Sequence, residues 1–300
     1  MLFLTESEVQ QLLPMPEAIR MMGVAFSAYA KGEAQNQPRR RLVLPTGSVL
    51  HSLAGSCGAY FGTKIYSTHA KYGAHFLFAL YDAATAKPLA LMEANYLGQI
   101  RTGAASGYAT DLLANPEASV LGIIGSGFQA RTQVEAIRAV RPIREVRVWS
   151  RNTGKCRQFS VETGAIVAES AEAAVRGAHI VATATNAKDP VVDDAWFEPG
   201  VHINAMGSNI ASRRELPVEL VRRASLIAAD SIEQARIEAG DLILANHWEN
   251  VVELKSIERC YDSGGITIFK SIGLGLEDVV AGGFVYEQAC KNNVGRNLLA

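Results

Sequence analysis

The feature that most constrains the fold of this 300-residue chain is a glycine-rich turn between an apolar run and a helical stretch. The run VLGIIG leads into GSGFQA (residues 125–130), and a helical pattern continues through Val140. In such a GxGxxA turn the first glycine permits the bend, the second lets the backbone approach a pyrophosphate, and the small third residue lets the helix pack on the strand. The helix N-terminus then faces the phosphates. The segment therefore predicts a dinucleotide-binding unit.

The region after Asn115-Pro116 repeats this alternation of strand and helix. Short apolar runs alternate with stretches rich in alanine and glutamate; the runs are EVRVWS, HIVATAT, VHINAMG and SLIAAD. Strands that alternate with helices predict βαβ units and a parallel sheet buried on both faces. Within this region Asp230 and Glu233 have the spacing of a helix capping box.

The flanking regions have a different pattern. Thr5 and Glu8 predict a capping box at the start of a first helix, and residues 40–93 change to short runs of period two that predict an antiparallel meander. The stretch TIFKSIGLGLEDVVAGG predicts a strand, a glycine turn and a helix near the C-terminus. A chain of 300 residues exceeds what one core usually serves, so two domains are expected.

Composition excludes several classes of function. Lys and Arg number 29 against 30 Asp and Glu, a net charge of −1, so no basic field exists to hold a nucleic acid. The 4 cysteines are scattered and the 6 histidines lack ligand spacing, so neither a metal site nor a disulfide framework is expected. No run of eighteen apolar residues and no basic leader is present, so we expect a cytoplasmic protein that does not enter a membrane.

The second strand of the nucleotide-binding region predicts which cofactor is bound. It ends at Ser150-Arg151-Asn152, where a site selective for NAD carries an acidic residue for the ribose 2′-hydroxyl. A hydroxyl followed by a guanidinium suits a 2′-phosphate instead, because arginine can bind phosphate bidentately. The alternative interpretation of Arg151 is a solvated residue at a helix start. The pattern favours NADP(H), with NAD(H) as the alternative.

The expected cofactor-binding residues lie in the glycine-rich turn, at strand ends and in neighbouring segments. They are Gly125, Ser126, Gly127, Phe128, Gln129, Ala130, Ser150, Arg151, Asn152, Thr183, Ala184, Thr185, Met206, Gly207 and Thr102. Ligands bind at the carboxyl ends of strands in open α/β sheets, which is where most of this set is expected.

Seven segments spread over nearly the whole chain resemble those of one known family. They are QPRRRLVL (37–44), FGTKIYST (61–68), QIRTGAAS (99–106), LGIIGSGFQA (121–130), PGVHINAMGSN (199–209), AGDL (239–242) and TIFKSIGLGLEDVVAG (267–282). Together they resemble the ornithine cyclodeaminase/mu-crystallin family.

The resemblance implies the domain organisation. It implies an α/β fold in which a Rossmann-type NAD(P)-binding domain, residues 116–274, is inserted in an α+β substrate-binding and dimerisation domain. The latter comprises residues 1–115 plus 275–300. The resemblance also implies a homodimer joined through the sheets of the substrate-binding domains.

Members of this family act on small α-amino or α-imino acids, so the resemblance implies that Lys64, Arg101, Arg40 and Asn209 bind such a substrate. Lys64 interrupts an apolar strand; a desolvated lysine has a pKa lowered towards neutrality, which suits proton transfer to an imine nitrogen. Arg101 is expected at a helix start, where a bound carboxylate would be its counter-ion. Arg40 matches the family spacing from Pro38, although Arg39 fits with a shift of one residue. The alternative for Lys64 is a surface lysine, and the alternative for Arg40 is a basic surface turn.

Asn209 is the clearest departure from the family pattern. Cyclodeaminases of the family carry a catalytic aspartate after the HINAxG segment, and an amide in that place orients groups but accepts no proton at physiological pH. With Lys64 and Asn209 as the catalytic pair, the resemblance implies an NADPH-dependent reductase of cyclic ketimines, forming L-proline or L-pipecolate. The alternatives are an amino-acid dehydrogenase of the alanine or arginine type, an ornithine cyclodeaminase, and a ligand-binding protein without activity.

Overall fold

The structure, a computed structural model, describes residues 1–298. The chain divides into two compact units: Met1–Arg101 with the C-terminal segment from Gly273, and Thr102–Ile272. The first boundary lies inside a helix, earlier than the predicted boundary at residue 115, because the later turns of that helix pack with the second unit. Gly103, for example, lies directly against Thr132.

After one short strand the chain forms two helices and then an antiparallel meander. The elements are β1 (Leu2–Leu4), α1 (Glu6–Leu12), α2 (Met15–Ala30), β2 (Ala34–Val43), β3 (Val49–Cys57), β4 (Tyr60–His69), β5 (Gly73–Asp82), β6 (Pro88–Glu93) and α3 (Asn95–Leu113). The predicted capping box is confirmed: the Thr5 hydroxyl accepts from the Glu8 N–H, and the Glu8 carboxylate accepts from the Thr5 N–H at 2.8 Å. Strands β2 to β6 pair antiparallel in sequence order, as the period-two pattern predicts.

The second unit contains the predicted alternation of strands and helices. Its elements are β7 (Val120–Ile124), α4 (Phe128–Val140), β8 (Glu145–Trp149), α5 (Thr153–Thr163), β9 (Ile166–Val167), α6 (Ala171–Val175), β10 (Ile180–Thr183), β11 (His202–Ala205), α7 (Val218–Arg223), β12 (Leu226–Ala229), α8 (Ile232–Glu238), α9 (Gly240–Ala245), β13 (Val251–Glu253) and β14 (Thr267–Lys270). The capping box predicted from Asp230 and Glu233 is wrong. Ser231 caps α8, and Asp230 instead accepts a hydrogen bond from the Ile272 N–H at 2.8 Å.

The sheet of the second unit is parallel and runs β13-β12-β14-β11-β10-β7-β8-β9. The chain builds outward from β7 through β8 to β9, then returns to place β10 on the other side of β7. Ligands bind at such a switch point, outside the carboxyl ends of the strands. Apolar clusters cover both faces of the sheet, so the strands carry continuous apolar runs.

The chain then returns to the first unit with α10 (Gly275–Asn292) and β15 (Arg296–Asn297), whose sheet runs β15-β1-β6-β5-β4-β3-β2. Helix α10 lies directly on one face of this sheet: a Cβ on Gly55 would come within 2.6 Å of the Leu276 nitrogen, and one on Gly275 within 2.6 Å of the Ala54 oxygen. Within residues 1–298, no helix combines the length and the apolar character needed to span a membrane.

Candidate functional site

The glycine-rich turn has the geometry that a bound pyrophosphate requires. Gly125 follows β7 with φ +112°, a conformation that favours glycine, and a Cβ there would lie 2.5 Å from the Ala184 oxygen. Gly127 is the N-cap of α4 and no side chain caps that helix. A Cβ on Gly127 would meet no described atom within 4 Å. Protein packing therefore explains glycine at 125 but not at 127, and the open space at 127 fits the close approach of a dinucleotide phosphate.

These two glycines give a matched pair of tests. Gly127→Val is expected to lower the free energy of unfolding by no more than about 1 kcal/mol, because the added atoms enter open space and only the preference of the helix N-cap for glycine over valine is lost. It is expected to raise the dinucleotide Kd at least about tenfold, because the side chain occupies the phosphate position. Gly125→Val is instead expected to destabilise the protein by about 1–3 kcal/mol. Urea unfolding and cofactor titration measure both; equal cofactor affinity in Gly127→Val and wild type would contradict the assignment.

The end of β8 lies beside this turn. The Ser150 hydroxyl and the Ser126 hydroxyl form a hydrogen bond of 2.8 Å, which joins the second strand end to the glycine-rich turn. Arg151 is exposed, as a residue that binds a ligand phosphate can be. The Asn152 side chain caps α5 by accepting from the Lys155 N–H at 2.9 Å, so its predicted place beside the cofactor coincides with a structural role.

A buried carboxylate that the sequence analysis missed holds the other strand ends. Glu215 accepts hydrogen bonds from the Thr183 hydroxyl at 2.9 Å, from the N–H and hydroxyl of Thr185 at 2.7 Å each, and from the Gly207 N–H at 2.7 Å. The two threonines predicted to contact the cofactor therefore donate their hydroxyl protons to Glu215. This residue fixes the segments that follow β10 and β11, and Ala184 of the first segment adjoins Gly125.

Two further charges stabilise this arrangement. Lys270, fully buried at the end of β14, forms an ion pair of 2.8 Å with Asp241 and donates to the Ser208 carbonyl at 2.7 Å. Asp241 also accepts from the N–H groups of Glu215 and Leu216. Burial raises the pKa of Glu215, and the Lys270 charge opposes that rise. Thirty or more residues separate Glu215 from Thr183, Thr185 and Lys270 along the chain, so no local motif indicates the network.

In the first unit, the predicted substrate residues Lys64 and Arg101 meet at two carboxylates of α10. Lys64 Nζ donates to Asp278 Oδ1 at 2.7 Å, and Arg101 Nε donates to the same oxygen at 3.0 Å. Arg101 Nη1 donates to Glu277 Oε2 at 2.8 Å. Both carboxylates are fully buried. We call these four residues and Arg39 the cation cluster.

Burial tunes the Lys64 amine. It lowers the pKa of Lys64 from its ordinary value of 10.5 to about 8; the Arg101 and Arg39 charges lower it too, while Asp278 raises it. Gly98 of α3 faces the amine, since a Cβ there would lie 3.4 Å from Nζ. The ammonium therefore exchanges its proton near neutral pH, which suits a general acid.

The structure assigns the third cation of the cluster to Arg39 and not to Arg40. Between Gln37 and Arg40 the pairing of β2 with β3 shifts register, so that a bulge turns Arg39 towards the buried face. Arg39 is buried and donates to the Gly273 carbonyl at 3.4 Å, whereas Arg40 is exposed. The preference for Arg40 rested on its spacing from Pro38, which does not take account of this bulge.

The helical position expected for Arg101 is wrong. Helix α3 begins at Asn95, so Arg101 lies in its second turn and not at its start. The Glu277 and Asp278 carboxylates supply counter-charge to Arg101, for which a bound carboxylate was the expected counter-ion. Gly273, with φ +79°, packs against this guanidinium.

Asn209, the other predicted catalytic residue, lies in the second unit. It is half-buried in the segment that follows β11, after Met206 and Gly207. Among residues 1–298, no group of three or more His, Cys, Asp or Glu side chains is arranged to hold a metal ion.

The chain is similar in sequence and fold to known dehydrogenases and reductases. The Δ1-pyrroline-2-carboxylate reductase of Bacillus cereus is 33% identical over 99% of both chains. An archaeal alanine dehydrogenase dimer solved with bound NAD superposes with a TM-score of 0.93 at 33% identity, over 100% of this chain and 99% of that one. The Δ1-pyrroline-2-carboxylate reductase of Thermococcus litoralis, solved with NADH and L-proline, has a TM-score of 0.91 at 31% identity, over 99% and 100%.

These matches confirm the predicted α/β fold and its dinucleotide-binding sheet. The sequence pattern of the ornithine cyclodeaminase/mu-crystallin family matches residues 1–293, which include both the glycine-rich turn and the cation cluster. The chain therefore belongs to the ornithine cyclodeaminase/mu-crystallin family.

Proposed function

We propose that this protein reduces small cyclic ketimines, Δ1-pyrroline-2-carboxylate or Δ1-piperideine-2-carboxylate, to L-proline or L-pipecolate with NADPH. The chain is an NAD(P)-dependent oxidoreductase, as its full-length dehydrogenase and reductase relatives indicate. The single observation that carries this proposal is the buried Lys64 ammonium, which has a pKa of about 8 and is paired with Asp278.

The charge of the cation cluster supports a substrate with one carboxylate. Lys64, Arg101 and Arg39 contribute three positive charges, and Glu277 and Asp278 contribute two negative ones, which leaves +1. A buried site with an excess positive charge is stabilised by one bound anion. Arginine side chains bind carboxylates with charge-assisted hydrogen bonds, which would fix the α-carboxylate of an imino acid.

The chemistry needs a hydride, a proton and an oriented imine. When bound at the glycine-rich turn, NAD(P)H supplies the hydride. Lys64 gives one of its three N–H donors to Asp278 and presents another to the imine nitrogen. Transfer of that proton, as the hydride reaches the imine carbon, yields the amine and leaves Lys64 neutral. The Asp278 carboxylate then favours the return of a proton from solvent.

Asn209 argues against ornithine cyclodeamination. Its amide can orient an amine or a water but takes up no proton at physiological pH. Reduction of a preformed imine needs only one proton donor, and Lys64 supplies it.

The second candidate is an alanine-type dehydrogenase, favoured by the relative from Archaeoglobus fulgidus that is 34% identical over 99% of this chain and is named alanine dehydrogenase. A substrate panel separates the two. Cyclic ketimines alone, pyruvate with ammonia, and ornithine are each supplied with NADPH or NAD⁺. Oxidation of NADPH by a cyclic ketimine without ammonia is expected; turnover only of pyruvate with ammonia would favour the second candidate.

The exposed Arg151 at the end of β8 supports a preference for NADPH. Loss of one bidentate contact to the 2′-phosphate costs roughly 1.5–3 kcal/mol, so Arg151→Ala is expected to weaken NADPH binding about ten- to a hundredfold and NADH binding little. Exposed Arg157 of α5 provides the control, because Arg157→Ala removes the same charge from the same helix region. Fluorescence titration with both cofactors measures the effect. An equal loss for NADH and NADPH would remove Arg151 from the phosphate site.

We also infer a homodimer joined through the sheet of the first unit. The face of this sheet turned away from α10 exposes Leu50, Ile65 and Leu77, of which Ile65 and Leu77 are direct cross-strand partners. Contiguous exposed apolar side chains on a sheet are typical of an interface. The alanine dehydrogenase relative is itself described as a dimer. Light scattering on wild type and on Ile65→Asp tests this inference; a monomeric wild type would contradict it.

A further inference from the structure

Helix α10 leaves one direction along the sheet face open to a substrate side chain that extends from the cation cluster. On the side of Lys64 towards Gly62, the face is filled: a Cβ on Gly62 would lie 2.6 Å from the Ala79 oxygen and 2.9 Å from the Phe78 ring. Gly282 of α10 packs on the same ring. The side chain of a substrate held by the cation cluster therefore extends the other way along β4, towards Tyr66.

Three stacked rings follow Lys64 in that direction. Tyr66 lies two residues beyond Lys64, so both side chains are on the same face of β4. Tyr66 is the direct cross-strand partner of His51 on one side and of Phe76 on the other. The ring centroids are 4.2 Å apart for His51 and Tyr66, and 4.9 Å for Tyr66 and Phe76. These rings form a flat apolar floor beside the cation cluster.

Positive charge borders this floor at its β2 edge. Arg41 is the direct cross-strand partner of His51 and shares a face with Arg39, two residues earlier on the strand. Burial, and then the charges of Arg41 and Arg39, lower the pKa of His51 to about 4. The His51 Nε2 lies 3.0 Å from the Thr68 hydroxyl. The imidazole is therefore uncharged at physiological pH, and the charges of Arg41 and Arg39 disfavour a further positive charge placed near it.

We propose that Arg41, together with the His51–Tyr66–Phe76 rings, forms a side-chain subsite that excludes cationic side chains. The substrate then carries an uncharged or anionic side chain, and basic amino acids such as ornithine or arginine are rejected by charge. This inference rests on the proposed function, because it takes the α-carboxylate to be held by the cation cluster. It assigns a specificity-determining role to Arg41, an exposed residue that neither the carboxylate nor the proton transfer requires.

The distance between Arg41 and the cation cluster permits Arg41 to repel a cationic substrate side chain. Arg41 lies two strand spacings from Lys64, about 10 Å, and two residues further along the strand direction. The Arg41 side chain and the side chain of a bound ornithine each span half of that interval. Their two positive charges therefore come within several ångström of each other. Like charges at such a separation near a protein surface change affinity by roughly tenfold.

Two amino acids that differ chiefly in a terminal ammonium test the proposal. L-norvaline and L-ornithine share the same three side-chain carbons, and calorimetry with protein saturated in NADP⁺ measures both dissociation constants. Wild type is expected to bind norvaline at least about tenfold more tightly than ornithine. Arg41→Gln is expected to reduce the ratio of the ornithine Kd to the norvaline Kd several-fold. Arg40→Gln removes the same charge from the opposite face of β2 and is expected to leave the ratio unchanged.

His51→Glu provides a second variant, because it adds a negative charge at the same floor and is expected to shift the preference towards ornithine. Equal binding of the two amino acids by wild type, or an equal change in Arg41→Gln and Arg40→Gln, would overturn the inference. If cyclic ketimines are nevertheless reduced, the proposed function stands without it. Failure of both amino acids to bind would overturn the carboxylate assignment and, with it, this inference.

Discussion

Lys64→Met is expected to lower kcat for ketimine reduction by about 10²–10⁴-fold, the usual contribution of a positioned general acid. The variant is expected to fold, because Asp278 keeps the Arg101 guanidinium at 3.0 Å as its counter-charge. Single-turnover oxidation of NADPH measures the effect on the chemical step. Lys71→Met is the control, because Lys71 is exposed in the turn between β4 and β5. A loss below tenfold would show that another group supplies the proton.

The pH dependence adds a second readout for Lys64. Reduction requires the ammonium form, so kcat/KM is expected to be level below the Lys64 pKa of about 8 and to fall about tenfold per pH unit above it. Oxidation of the amino acid requires the neutral amine, so its rate is expected to rise through the same pKa. The residual activity of Lys64→Met is expected to lack this inflection. A reduction rate that climbs with pH would contradict the assignment.

Asp278→Asn is expected to destabilise the protein by about 3–5 kcal/mol, because it leaves two buried cations without their shared carboxylate. Urea unfolding measures this loss. Glu287→Gln is the control on the same helix: Glu287 is exposed and accepts only from the Tyr60 hydroxyl among the contacts described, so a change within about 0.5 kcal/mol is expected.

The same variant also tests the coupling of Asp278 to Lys64. Because Asp278 raises the pKa of Lys64, its replacement is expected to move the descending limb of the reduction profile below pH 8. A purely structural role would reduce stability and leave the limb in place. An unchanged limb together with unchanged stability would contradict the ion pair.

The sequence was sufficient to predict the fold and the nucleotide-binding part of the site. The GSGFQA turn and the alternating strands predict the parallel sheet because both signals are local: a glycine conformation and a repeat of apolar runs. The role of Gly127 could be predicted because it depends only on the backbone of that residue, which approaches the phosphate.

The cation cluster was only partly predictable, because its partners are distant in sequence. Lys64 and Asp278 are separated by 214 residues, and Arg101 and Glu277 by 176. The segment LEDVV carries both acids, yet acidic residues in the first turn of a helix are also what the helix dipole favours. The choice between Arg39 and Arg40 depended on a bulge, which the alternation of a strand does not reveal.

The most direct measurement of the central claim is the stoichiometry of one reaction. Wild-type protein is supplied with Δ1-pyrroline-2-carboxylate and NADPH in buffer free of ammonia, and proline, NADP⁺ and ammonia are quantified together. We predict one L-proline per NADPH oxidised, with no ammonia consumed or released. Absence of NADPH oxidation, or proline formed from ornithine with release of ammonia and no net change in cofactor, would contradict the proposed ketimine reductase activity.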